Sequence, residues 1–178
     1  AEKRRRYASL FHEGYKTMGC LKNKKLFLLD MDGTIYLDTH LFDGTIDFLK
    51  KVKKNGGRYV FVTNNSSKSV SAYVEKLASI GIASEASDFL TSTDATILYL
   101  RENFPDTVFY SMGTASFTDQ LRAAGVRVVT EDCREVGGVV ISNDTELTFR
   151  KLDDVSRILT RDVVYVATNP DWVCPTAY

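Results

Sequence analysis

The sequence predicts an α/β protein in which parallel strands are covered by helices. Three observations support this fold class: short apolar runs that suit strands, apolar residues at helical spacing between these runs, and regular alternation of the two along the chain. Strand–helix–strand order favours parallel pairing, because each helix returns the chain to the same end of the sheet.

The predicted strands lie at residues 26–29, 59–62, 89–90, 108–110, 126–129, 139–141 and 163–167. The predicted helices lie at residues 46–52, 70–80, 94–102, 116–124 and 149–159. The runs at 26–29 and 59–62 are unbroken, which is typical of strands buried on both faces. The alternation restarts near residue 104, so we expect two domains, residues 22–103 and 104–178, after an extension at 1–21.

The composition argues against several classes of partner. The chain of 178 residues has 23 basic and 23 acidic side chains, so no net charge favours nucleic acid or an anionic membrane. No apolar stretch approaches the roughly 20 residues that span a bilayer. Three widely spaced cysteines without a CxxC pair favour reduced thiols and a cytoplasmic location.

Two aspartates follow the first predicted strand. Asp30 and Asp32 leave this strand at the end where open parallel sheets bind ligands. One carboxylate there can coordinate a hard cation and attack, while the other holds a proton. Gly33 allows a phosphate to approach the backbone, and the Thr34 hydroxyl can fix the turn. The alternative is that both aspartates only cap the turn. Their position directly after an apolar strand favours the catalytic role instead.

The second predicted strand also ends in polar side chains before a helix. They are Thr63, Asn64, Asn65, Ser66 and Ser67. A hydroxyl and exposed N–H groups beside a helix N-terminus suit a phosphoryl oxygen. Taken alone, the segment is better explained as a helix cap, with Ser66 or Ser67 as the N-cap residue. Its position beside the Asp30 strand favours phosphate binding instead.

Three segments together resemble a known family. They are DMDGTIY at 30–36, VTNNSS at 62–67 and ATNPDW at 167–172. They are similar to the NagD-like and 4-nitrophenylphosphatase branch of the haloacid dehalogenase-like superfamily. The resemblance implies a Rossmann-like parallel-sheet core, whose N-terminal part is residues 22–103, and an inserted α/β cap domain at 104–178.

The same resemblance implies a magnesium-dependent phosphomonoester hydrolase that acts through an aspartyl phosphate. Asp30 would be the nucleophile, and Asp32 would be the general acid for the leaving group and then the base for water. Mg²⁺ would be held by the Asp30 carboxylate and the Asp32 backbone carbonyl. Thr63 and the Asn64 backbone would bind the phosphoryl group.

Two features of the family are not recognisable in the sequence. The family uses a lysine and a further acidic motif on core strands that follow the cap. Lys68, Lys76 and Lys151 are the lysines after the second motif, and none follows a predicted core strand. Asp144, after the strand at 139–141, is a weaker candidate for the second acid. The simplest interpretation is an incomplete piece of a longer phosphatase, with little activity of its own.

The expected partner is a small phosphate ester, such as a sugar phosphate, a nucleotide or p-nitrophenyl phosphate, and the resemblance implies that two copies can pair through the cap. Two alternatives stay open. A receiver-like phosphoacceptor domain also places an aspartate and Mg²⁺ at strand ends, but its acceptor follows the third strand, where no aspartate stands here. A truncated, non-catalytic fragment would expose apolar surface where the missing strands pack.

Overall fold

The computed structural model describes Leu21 and residues 23–169. In chain order its elements are β1 (Leu26–Asp30), β2 (Tyr36–Leu37), β3 (His40–Leu41), α1 (Thr45–Lys54), β4 (Arg58–Thr63), α2 (Val70–Ser79), a 3-10 turn (Ala86–Asp88), β5 (Phe89–Thr91), α3 (Ser92–Asn103), β6 (Val108–Met112), α4 (Ala115–Ala123), β7 (Val128–Val129), β8 (Val136–Ile141), α5 (Phe149–Ile158) and β9 (Val164–Ala167). The predicted α/β class is confirmed. The predicted extension at 1–21 lies outside the described residues except for Leu21.

The first unit, residues 23–91, is built on a parallel sheet with the strand order β1-β4-β5. Its register pairs Asp30 with Val62, and Thr63 with Thr91. The three strands therefore end at one edge, and the polar residues that follow β1 and β4 start side by side.

Helices α1 and α2 cover one face of this sheet. Leu49 of α1 and Leu77 of α2 share a buried cluster with Phe61 of β4. Leu26 and Leu28 point to the opposite face and are 57% and 64% exposed. The prediction that residues 26–29 are buried on both faces is therefore wrong, because none of the described helices packs against the second face.

The loop predicted after the first strand contains a short hairpin. Strands β2 and β3 pair antiparallel, with Tyr36 opposite Leu41, and Asp38 forms the turn with a φ of 53°. The Tyr36 side chain is fully buried. Strands of two residues are too short to show an alternating pattern, so the sequence carries no periodic signal for them.

The second unit, residues 108–169, is built on a parallel sheet with the strand order β7-β6-β8-β9. Strand β6 is buried along its whole length. One side of this sheet packs Phe109 against Phe117 of α4, and the other packs Tyr110 against Ile158 of α5. Unlike the first sheet, this one has helices on both faces.

Helix α3 connects the two units through its packing as well as through the chain. It begins directly after β5 with a capping box, in which Thr91 Oγ1 accepts from Asp94 N–H and Asp94 Oδ2 accepts from Thr91 N–H. Farther along, Leu100 is buried in a cluster with Phe109 and Phe117 of the second unit. The predicted domain boundary near residue 104 stays a prediction.

Helix α5 shows apolar residues to solvent, and Phe149 is 83% exposed. The expected pairing of two copies through this part of the chain stays a prediction. Within the described ranges, no helix combines the length and the apolar character that crossing a bilayer requires.

The two faces of the first sheet should respond differently to truncation of a side chain. We expect Phe61→Ala to lower the free energy of unfolding by about 3–5 kcal/mol, because the fully buried ring leaves a cavity. Leu28→Ala should cost less than about 1 kcal/mol, because most of that side chain is already exposed to water. Urea unfolding of both variants and the wild type measures the difference.

Equal losses in the two variants would contradict this prediction. They would mean that another segment or another molecule covers Leu28 in solution.

Candidate active site

A cavity of about 490 Å³ opens at the carboxyl edge of the first sheet. Its lining consists of Asp30, Asp32, Asp38, Val62, Thr63, Asn64, Asn65, Lys68, Tyr73 and Lys76. Five of the seven residues predicted as site residues therefore meet around one space. The two that do not line it are Gly33 and Thr34.

Gly33 and Thr34 form the turn that follows Asp32. Gly33 has a φ of 83°, which favours glycine, and its N–H donates to the Tyr36 carbonyl at 2.8 Å. The Thr34 N–H donates to the Met31 carbonyl at 3.1 Å. Both N–H groups are thus used within the turn, and the predicted contact of these residues with phosphate stays a prediction.

The loop after β4 is ordered by its own side chains. Thr63 Oγ1 accepts from the Asn65 N–H at 3.2 Å, and Asn65 Oδ1 accepts from the Ser67 N–H at 2.9 Å. The N-cap of α2 is Ser69, whose Oγ accepts from the Ala72 N–H. The alternative that Ser66 or Ser67 caps this helix is therefore wrong, because the loop runs two residues farther before the helix starts.

Two hydroxyl groups fix the orientation of the carbonyl groups in this loop. The Tyr73 hydroxyl donates to the Asn65 carbonyl at 3.2 Å, and Ser92 Oγ donates to the Asn64 carbonyl at 2.9 Å. Carbonyl oxygens that accept from α2 and α3 are held by those helices. The negative ends of these carbonyl dipoles are therefore directed at protein donors, an arrangement that suits a loop that binds an anion.

Burial keeps Tyr73 in its neutral, donating form. Removal from water raises the pKa of Tyr73 to about 12, the hydrogen bond with Thr63 lowers this pKa in part, and the negative charge of Asp32 raises it. The phenol proton that the Asn65 carbonyl accepts is therefore retained well above neutral pH.

Lys76 lines the cavity, although it does not follow a predicted strand in the sequence. Its Nζ lies 3.6 Å from Asp32 Oδ1 and 3.9 Å from the centre of the Tyr36 ring. The ring's π-face attracts the ammonium group, so it stays beside the carboxylate. Burial, and then the negative charge of Asp32, raises the pKa of Tyr36. One feature of the sequence points to this position of Lys76. It follows Tyr73 by three residues, and this spacing places both on one side of a helix.

Lys68 and Asp38 also line the cavity without having been predicted. Asp38 reaches it from the turn of the hairpin, and Lys68 follows directly after the VTNNSS segment. The described lining therefore carries three carboxylates and two ammonium groups. This excess of one carboxylate suits a cavity that binds a metal cation.

Asp144, the weaker candidate for a second acid, lies outside the cavity lining. Its Oδ2 is 2.8 Å from Lys151 Nζ, which also donates to the Gly113 carbonyl at 2.8 Å. The Asp144 side chain is 4% exposed, so this ion pair fixes loops at the carboxyl edge of the second sheet. In the described part of the chain, Asp144 is a packing residue of the second unit.

The donor set of the cavity is compatible with magnesium. Across the described residues, no group of three or more His, Cys, Asp or Glu side chains could hold a metal ion. Mg²⁺ does not need such a cage, because proteins usually bind it through one or two carboxylates together with water and substrate phosphates. Asp30 and Asp32 supply hard oxygen donors of this kind to the cavity.

Comparison with known proteins gives one family. The sequence model described as haloacid dehalogenase-like hydrolase matches residues 27–127. An acid sugar phosphatase from Staphylococcus saprophyticus is 30% identical over 155 residues, which are 87% of this chain and 59% of that protein. The chain thus spans somewhat more than half the length of this curated relative.

Two solved structures show the same fold. A 4-nitrophenylphosphatase from Thermotoga maritima has a TM-score of 0.81 and 34% identity, over 88% of this chain and 59% of that chain. A glycerol phosphate phosphatase from Mycobacterium tuberculosis, solved with magnesium, has a TM-score of 0.80 and 24% identity, over 86% of this chain and 46% of that chain. At 24% identity, the similarity to the glycerol phosphate phosphatase shows a shared fold and nothing more.

Tyr73→Phe should alter how stability depends on pH. Between the ordinary tyrosine pKa of 10.0 and about 12, the unfolded chain loses the phenol proton while folded Tyr73 keeps it. The free energy of unfolding of the wild type therefore falls as pH rises through this window. The variant should show a shallower fall and, at pH 8, a loss of about 1 kcal/mol from the missing hydrogen bond to Asn65.

Urea unfolding between pH 8 and pH 12 measures both effects. Tyr110→Phe in the second unit should likewise make the alkaline fall shallower, because burial and Asp154 also raise the pKa of Tyr110 to about 12. An unchanged alkaline slope in Tyr73→Phe would refute the prediction.

Proposed function

Because the chain belongs to the haloacid dehalogenase-like hydrolase family, we propose that it is a magnesium-dependent phosphomonoester hydrolase that acts through an aspartyl phosphate. One observation carries the proposal. Asp30 and Asp32 leave β1 at the edge where Thr63 ends β4, and all three line one cavity. A carboxylate nucleophile and a polar loop for the phosphoryl group therefore face a common space.

The two aspartates divide the chemistry. Asp30 attacks the phosphorus atom, so that a carboxylate oxygen–phosphorus bond forms and the bond to the leaving oxygen breaks. Asp32 gives its proton to that leaving oxygen. Water then attacks the phosphorus, Asp32 takes up the proton, and inorganic phosphate departs from a regenerated Asp30. Two easier steps replace one very slow hydrolysis.

The loop after β4 holds the phosphoryl group during both steps. Thr63 and the Asn64 backbone are the proposed contacts, with Asn65 beside them in the cavity lining. Hydrogen bonds with Tyr73 and Ser92 already orient this loop, so little rearrangement is needed when the charge on the phosphoryl oxygens changes.

Magnesium fits the proposed chemistry. The Asp30 carboxylate and the Asp32 backbone carbonyl would hold it, and when bound it offsets the repulsion between a carboxylate and a phosphate dianion. The excess of carboxylates over lysines in the lining supports this assignment. The glycerol phosphate phosphatase solved with magnesium has the same fold.

The proposed substrates are small phosphate esters, such as sugar phosphates, nucleotides or p-nitrophenyl phosphate. A cavity of about 490 Å³ lies within the range of about 300–1,000 Å³ that is usual for small ligands. The relatives named for acid sugar phosphatase and 4-nitrophenylphosphatase activity support esters of this size. The proposed location is the cytoplasm, on the composition and spacing of the cysteines.

A second candidate is a fragment without catalysis. The observation that favours it is the exposed apolar face of the first sheet, where Leu26 and Leu28 meet solvent. The chain also spans 59% of the acid sugar phosphatase that it resembles. Measured hydrolysis decides between the two candidates, and turnover beyond one phosphate per chain distinguishes the hydrolase from a lasting phosphoacceptor.

Asp30→Asn should abolish Mg²⁺-dependent hydrolysis of p-nitrophenyl phosphate. The amide keeps the size of the side chain but lacks the anionic nucleophile, so we expect the rate to fall by a factor of about 10³ or more. Release of p-nitrophenolate at steady state, with Mg²⁺ and with chelator, measures this rate.

The matched control for this variant is Asp43→Asn, which makes the same change of charge at an exposed position outside the cavity lining. It should hydrolyse at the wild-type rate. Absence of hydrolysis by folded wild-type chain would sink the proposal for this chain and favour the fragment.

Lys76→Met should weaken the binding of inorganic phosphate. Methionine keeps most of the length of the side chain but removes the ammonium group from the cavity, so we expect the dissociation constant to rise about fivefold. The control is Lys53→Met, because Lys53 Nζ also lies over an aromatic ring, 4.9 Å from the centre of Tyr59, but outside the cavity lining. Calorimetric titration with phosphate compares the two, and equal affinities would exclude the proposed role.

A further inference from the structure

Ser66 joins the loop after β4 to the second unit. It is fully buried, and its Oγ lies 2.8 Å from Thr168 Oγ1 and accepts from the Asn143 N–H at 3.2 Å. Both partners lie just after strands of the second sheet, Asn143 after β8 and Thr168 after β9. A residue of the candidate phosphate loop thus directs its side chain away from the cavity and into the opposite unit.

The atoms that Ser66 contacts are themselves fixed by the second sheet. The Thr168 N–H donates to the Ile141 carbonyl at 2.9 Å, which continues the pairing of β8 with β9 beyond their ends. The Ser142 N–H, directly before Asn143, donates to the Met112 carbonyl at 2.9 Å and continues the pairing of β6 with β8. The partners of Ser66 are therefore fixed to the second sheet by backbone hydrogen bonds.

A third hydrogen bond connects the loop after β4 to the second unit. Thr114 Oγ1 donates to the Ser67 carbonyl at 3.1 Å, and it also accepts from the Phe117 N–H as the N-cap of α4. Thr114 is 2% exposed. Two successive residues of the loop are thus held from the carboxyl edge of the second sheet, whereas Asn64 and Asn65 are held by α3 and α2.

We propose that Ser66 is a positioning residue that ties the phosphoryl-binding loop to the second unit, so that the edge of the second sheet sets the shape of the loop. The role of the loop in binding a phosphoryl group rests on the proposed function. The tie, which consists of the hydrogen bonds of Ser66 with Thr168 and Asn143, does not. The substrate site would then be shaped by both units, although the described cavity lining comes from the first.

Hydrogen exchange of single backbone amides tests the tie in the full chain without any substrate. The reporters are the N–H groups of Asn65 and Ser67, which bond within the loop, and that of Asn143, which donates to Ser66. The variants are Ser66→Ala, Thr168→Val and the double variant. The control is Ser71→Ala, which removes an exposed hydroxyl bonded only to that of Ser69 among the described residues.

We expect Thr168→Val to speed exchange at Asn65 and Ser67 about tenfold, because one buried hydrogen bond is lost. Ser66→Ala should speed it at least as much, because the bond from the Asn143 N–H is lost as well. The double variant should exchange no faster than Ser66→Ala, since both changes break the same bond. Asn143 should exchange faster in Ser66→Ala and keep its wild-type rate in Thr168→Val. The control should match the wild type.

Wild-type exchange at Asn65 and Ser67 in Ser66→Ala, or effects that multiply in the double variant, would overturn the proposal. If Ser66→Ala does not fold, Thr168→Val decides alone, because valine keeps the size of threonine. Addition of inorganic phosphate to the wild type tests the proposed function separately. If the NMR chemical shifts of the amides of Thr63 to Asn65 do not change, phosphate binding is rejected. The exchange rates would still decide whether Ser66 ties the loop to the second unit.

Discussion

The parallel pairing of β1 with β4 is the interaction on which the candidate site depends. Its register places Asp30 opposite Val62, so the carboxylate emerges beside Thr63. Side chains alternate between faces along a strand, so a slip of one residue would turn Asp30 and every apolar residue of β1 to the other face. The apolar contacts of Phe27 and Leu29 with the core under α1 and α2 oppose such a slip. The packing that stabilises the sheet therefore also sets the geometry of the site.

Much of this arrangement is predictable from the sequence. The apolar run that ends at Asp30 and the one that ends at Thr63 locate two strands, and parallel strands bring their carboxyl ends to one edge. That rule accounts for five residues that meet around one cavity, namely Asp30, Asp32, Thr63, Asn64 and Asn65. The rule works because it needs only the ends of strands and no knowledge of how side chains pack.

The remaining features depend on contacts between distant residues. Lys76 reaches the cavity because α2 packs with Tyr73 against the sheet and leaves the lysine above the buried ring of Tyr36. The exposure of Leu28 depends on which elements cover each face, which an apolar run does not specify. Ser66 looks like a helix cap in the sequence, and its bond to Thr168 spans two units. Local patterns carry no information of this kind.

The packing of α3 bears on how the chain can be divided. This helix follows β5 without a break, yet its Leu100 completes the apolar cluster around Phe109 and Phe117. A recombinant second half that started at residue 104 would leave those aromatic rings without their helical cover, and a first half that kept α3 would carry an uncovered leucine. Each half would lose apolar packing if the chain were cut there. The two halves are therefore better regarded as partners that share one helix than as modules that evolution or a cloning strategy could exchange freely.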